Sequence, residues 1–142
     1  MTKKTLLLFA LIALMVIAAS AVASAATSPE QVYTKSNLEP VGGSGVHGTV
    51  HLWQLSSDGT RILVLAEGLT PGKRYVSLYY DNDSCALEPY SEDDIIGGPY
   101  TAAPGGFGFT SGVADDDLDE INSVSVRSAK SFKLLACATV DH

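Results

Sequence analysis

Hydrophobic and polar residues alternate with period two through a series of short stretches of this chain, and turn residues divide them. A strand with one covered face produces such a pattern. Over 46–55, Val46, Gly48, Val50 and Leu52 share one side, and His47, Thr49, His51 and Trp53 share the other. Asp58-Gly59 in the next turn is a hairpin pair. The return strand, 61–67, is apolar on both parities through Ile62, Leu63, Val64 and Leu65. Gly68, Pro71 and Gly72 end it. A third strand over 75–80 puts Val76 and Leu78 on one side and Tyr75, Ser77 and Tyr79 on the other. Further strands are expected over 107–113, over 121–128 with Val124 and Val126 inward, and over 132–140, where Phe132, Leu134, Ala136 and Ala138 oppose Lys133, Leu135, Cys137 and Thr139. The pattern predicts an all-β domain over 46–142.

The remaining segments read as connections. Residues 81–106 carry Pro89, Pro99, Pro104 and two Gly pairs, and form a loop longer than a simple link requires. Residues 114–120 form an acidic turn. Residues 26–45 mix Ser, Thr, Pro and Gly and end in Gly42-Gly43-Ser44-Gly45, the composition of a flexible leader. One or two short strands in the leader or the long loop bring the count to seven or eight.

The start of the chain has a different character. Lys3 and Lys4 precede an uncharged apolar run over 5–22, followed by Ala23-Ser24-Ala25. This is the profile of a signal peptide over 1–25, and a retained membrane anchor is the competing reading. Export to the periplasm or the outside is expected, with no membrane contact after cleavage. About 117 of the 142 residues then remain, enough for one domain with a core.

That remainder keeps all 16 acidic residues of the chain but loses Lys3 and Lys4 from its 9 basic ones, so it is more negative than the −7 of the whole. Nucleic acid is excluded as a partner by that sign, whereas a cationic ligand fits it. The two cysteines, Cys85 and Cys137, are expected to pair in an oxidising compartment. Their wide separation does not suit a redox pair.

Several of these segments resemble the Cu,Zn superoxide dismutase superfamily. The strand from Val46 is similar to the family's opening Gly-x-Val strand, and Gly68-Leu69-Thr70-Pro71-Gly72 to the turn before its first copper-binding strand. Asp81 to Cys85 resembles the approach to the family's first disulfide cysteine, and Leu135-Ala136-Cys137-Ala138 its closing Leu-Ala-Cys-Gly. The resemblance implies a Greek-key β-sandwich or barrel over nearly the whole domain. It also implies copper-site positions at Ser77, Tyr79 and Arg127, where the family has histidines. No histidine lies between Asp81 and Gly106 to replace its zinc and bridging ligands. No metal and no cofactor are therefore expected, and catalysis is not.

Other chemistry is sparse. His47 and His51 fall on one strand face but about 13 Å apart, too far to chelate one ion. Glu92-Asp93-Asp94, Asp115-Asp116-Asp117 with Asp119 and Glu120, and Asp81 with Asp83 offer oxygens, yet none follows a calcium-loop spacing. The aromatic residues Trp53, Tyr75 and Tyr79 are candidates for a binding patch facing an unknown protein or small ligand. The expectation is an exported, non-catalytic module with a structural or binding role. The alternatives are a divergent dismutase or metal-binding protein, and a chordin-type extracellular β domain.

Overall fold

The period-two pattern is realised as eight antiparallel strands in the computed structural model, which describes residues 31–142. The expected signal segment, 1–25, lies outside the described residues. The strands are β1 (Tyr33–Pro40), β2 (His47–Gln54), β3 (Thr60–Glu67), β4 (Arg74–Tyr80), β5 (Tyr100–Thr101), β6 (Gly108–Ala114), β7 (Ser123–Ser128) and β8 (Leu134–Thr139). Single 3-10 turns cover Glu92–Asp94 and Leu118–Glu120, and no α-helix occurs among the described residues.

Pairing runs β5-β4-β7-β8-β1-β2-β3-β6. The two edge strands come back toward each other through the tight turn between them, in which the Ala103 N–H donates to the Phe107 carbonyl. Segment 95–97 spans the remaining gap: the Ile96 N–H donates to the Ser77 carbonyl on β4, and the Thr110 hydroxyl of β6 donates to the Ile96 carbonyl. The sheet is thus a nearly closed barrel, and closure leaves little exposed edge.

One strand lies inside the stretch expected to be a flexible leader. Tyr33–Pro40 pairs with β2 along its length and with β8 at its end, through Glu39 with Cys137 and Pro40 with Ala136. Its only large apolar residue facing the core is Leu38, with Ser36 beside it, so its own pattern is weak. Neighbours on both sides supply the hydrogen bonds that make it a strand.

Where a strand is apolar on both parities, packing chooses its face. In β3, Ile62, Val64 and Ala66 point into the barrel, and Leu65 is left 40% exposed. In β4, Tyr75 and Tyr79 join the barrel core with Val124 and Val126, while Val76, Leu78 and Tyr80 pack outside it with Cys85 under the long loop. Simple alternation fails in β8. A register shift at Val126/Arg127 lets Leu134 join the outer cluster and Leu135 the inner one, because an extra residue reverses the side on which later side chains emerge. Phe132 stands outside the strand with φ of 59° and also packs on the outer cluster.

Asp58 and Gly59 take positive φ of 65° and 85°, as a tight β2–β3 hairpin requires. Cys85 and Cys137 form a disulfide that ties the long loop to β8.

An acidic tyrosine pocket as the candidate functional site

Strand β4 positions the site. Ser77 and Tyr79 lie opposite Val126 and Val124 of β7 and share their inward face. Arg127 lies opposite Val76, on the other face of the same sheet. The three positions that the dismutase resemblance assigns to copper therefore do not converge. Two of them, Ser77 and Arg127, are also committed elsewhere. The Ser77 hydroxyl shares a hydrogen bond of 3.0 Å with the Tyr100 phenol, whose pKa burial pushes up to about 12. Arg127 is nearly buried and uses three donors: Nε to the Tyr80 hydroxyl at 2.9 Å, and one terminal nitrogen each to the carbonyls of Phe132 and Cys85 at 2.8 and 2.7 Å. A cation, a hydroxyl bonded to a phenol and a protonated phenol on two faces do not fit copper or zinc.

Of the aromatic residues named from the sequence, Tyr75 and Tyr79 are buried in the core. Tyr75 accepts a hydrogen bond from the Thr70 N–H. Trp53 does not join them. It sits on the outer face of β2, stacked on His51 at 5.9 Å and tilted against Tyr33 at 5.3 Å. His51 is held by the Tyr33 hydroxyl at 2.7 Å, and burial and then the charge of Lys35 lower its pKa. The His47 Nε2 lies 3.2 Å from the Glu67 carboxylate. Among the described residues no group of three or more His, Cys, Asp or Glu is arranged to hold a metal ion.

What the tertiary structure does assemble lies at the end of β4. There Tyr79, Tyr80, Asp81, Glu88, Pro89, Tyr90, Asp94 and Asp116 line a cavity of about 290 Å³. Four carboxylates, three from the long loop and Asp116 from the acidic turn, meet around three tyrosines, and no basic side chain is among them. The loop builds one wall. Glu88 is pinned by the Asp81 N–H and the Asn82 side-chain amide, and Asp94 accepts from the Ser91 N–H at 2.7 Å as part of a capping box. The acidic turn builds the other wall. Asp117 accepts from the Gly59 N–H and the Gln54 amide, and the Leu118 N–H donates to Gln54. These bonds hold the Asp117 pKa down and direct its carboxylate to the β2–β3 hairpin. Its neighbour Asp116 is left facing the cavity.

The electrostatics of the pocket follow from this crowding. Partial burial, then the charges of Asp81, Glu120, Asp94 and Asp115, raise the Asp116 pKa. Burial likewise raises the Tyr79 phenol, and Asp116, then Asp94 with its hydrogen bond, push the same way. A site that disfavours its own ionisation concentrates negative potential and gains by admitting positive charge. Each acidic cluster was visible in the sequence. Their meeting was not, because the long loop that carries Asp81, Glu88 and Asp94 and the turn that carries Asp116 are separate connections that only the barrel brings to one end.

No family model matches the chain, and none of the curated proteins matches it.

Proposed function

We propose that this chain is an exported, non-catalytic binding module that captures a cationic group, such as an amine or guanidinium, in the acidic tyrosine pocket. The observation that carries the reading is the cavity itself, four carboxylates and three tyrosines without a basic residue. Its size suits one small group, at the low end for ligand sites. Tyr90 is 45% exposed and stacks on Phe132 at 5.3 Å, which steadies a ring face open to a cation. The Cys85–Cys137 disulfide suits an oxidising compartment.

The barrel is, in this proposal, a Greek-key fold like that of the Cu,Zn superoxide dismutases. Three sequential strands β1-β2-β3, the crossing links on to β4 and β7, and the disulfide from the long loop to the last strand all suit that reading. The side chains at Ser77, Tyr79 and Arg127 support a module that has exchanged metal chemistry for packing and hydrogen bonding.

The test is a titration followed by amide NMR, with tetramethylammonium and cadaverine as probes and neopentyl alcohol as the neutral isostere. Shifts are expected at Tyr79, Tyr90 and Asp116 with both cations, weakened by salt and by Asp116→Asn, and absent with the alcohol. Equal response to the alcohol, or no response to either cation at about ten millimolar, overturns the reading, since cation–π and Coulomb contacts together worth about 3 kcal/mol already half-fill the site in that range.

A further inference from the structure

The outer face of the sheet made by β1, β2, β3 and β6 is a second surface, independent of the pocket. Phe109 is 70% exposed on it, Val113 52% and Leu65 40%, and Phe107 at its margin 55%. A groove of about 660 Å³ runs between Leu65, Tyr100, Phe107 and Phe109. Adjacent exposed apolar side chains of this kind mark a surface that another molecule covers.

The charges on β3 say which molecule. Its buried residues are Thr60, Ile62, Val64 and Ala66, so Arg61, Leu63, Leu65 and Glu67 face outward in a row. That row is complementary to itself when reversed about Val64, because the reversal sets Arg61 against Glu67 and Leu63 against Leu65. The cross-strand register extends the match. Val113 is level with Arg61, and Phe109 and Ser111 with Leu65 and Leu63, so the reversal sets Val113 near Phe107 and Phe109 near Ser111.

We propose that this face is the interface of a homodimer whose two-fold axis crosses β3 at Val64, laying two copies of β3 antiparallel so that Arg61 of each subunit meets the partner's Glu67. The same reversal sends the acidic turn that follows β6 in each subunit to opposite ends of the interface. A parallel stacking would bring these turns together and oppose like charges. Glu67 already holds His47 at 3.2 Å, and its carboxylate has a second oxygen to offer a guanidinium. Four strands spaced about 4.8 Å and about seven residues long at about 3.3 Å give a footprint of roughly 440 Å² per subunit. The total of roughly 880 Å² falls below the about 1,000 Å² of a stable interface, so the dimer is of the weak, transient class.

Sedimentation equilibrium on the processed, exported chain tests this. The expected result is a monomer–dimer equilibrium, lost in Phe109→Glu and in Leu65→Glu. Arg61→Glu and Glu67→Arg each raise the dissociation constant about ten-fold, since each sets two like-charged contacts across the axis. The double variant Arg61→Glu/Glu67→Arg returns it to within about two-fold of the parent, because both contacts re-form with the signs exchanged. All four side chains are exposed or at the surface of the sheet, and circular dichroism verifies that each variant is folded. A monomer at several hundred micromolar, a dimer indifferent to Phe109→Glu and Leu65→Glu, or a double variant no better than the singles overturns the proposal.

Discussion

Replacing Arg127 by Met removes the only buried cation among the described residues and measures how far the long loop depends on it. In the parent, the guanidinium donates to the carbonyls of Cys85 and Phe132 and to the Tyr80 hydroxyl, and its central carbon lies 5.9 Å from the centroid of the Tyr80 ring. Tyr80 keeps a partner in the variant, because its hydroxyl also bonds Ser125 at 2.8 Å. The two carbonyls do not, and each orphaned acceptor costs about 1–3 kcal/mol. Part of that cost is returned, because no guanidinium then has to be taken from water, and Met refills much of the volume. The balance is a loss of about 3 kcal/mol, against a total of roughly 5–15 kcal/mol for a domain of this kind. Urea unfolding reads it as a lower midpoint at unchanged slope. Hydrogen exchange should rise first at Cys85 and its loop neighbours, since the bond to the Cys85 carbonyl is lost there. Arg127→Lys should fare little better, because one ammonium on a shorter stem cannot reproduce the fork that serves Tyr80, Cys85 and Phe132 together. A loss under about 1 kcal/mol in both variants, with exchange at Cys85 unchanged, would refute the assignment of a stapling role to this residue.

Two further outcomes are expected. The double variant Cys85→Ala/Cys137→Ala opens a cross-link of sequence separation 52, which the chain-entropy relation values at about 4 kcal/mol, so its urea midpoint should fall steeply, and an unchanged midpoint would show that the loop is held without the bond. Asp116 has its pKa raised in the folded chain, so the folded state binds its proton more tightly than the unfolded one and the stability this confers is lost as pH rises through the raised value. Asp116→Asn should therefore raise the melting temperature at pH 7 and flatten its decline from about pH 4 upward while weakening cation binding; a lower melting temperature at pH 7 would contradict the crowding of carboxylates described above.

The sequence by itself determined the strands that carry their own pattern. The alternation in 46–55, the Asp58-Gly59 turn and the paired cysteines each rest on local geometry or on a single covalent bond, and each reappears at its expected place. The tertiary structure decided what depends on neighbours. Tyr33–Pro40 becomes a strand because β2 and β8 flank it, Ile62 rather than Leu63 enters the barrel because β2 and β6 set its face, and an extra residue opposite Arg127 reverses Leu134 and Leu135. The candidate site shows the same division. Tyr79 and the acidic clusters were legible one by one, but their convergence, the separation of Trp53 from Tyr75 and Tyr79, and the burial of Arg127 under the loop follow from chain closure. Contacts between residues distant in sequence leave no periodic trace in it, so no local pattern could have announced them.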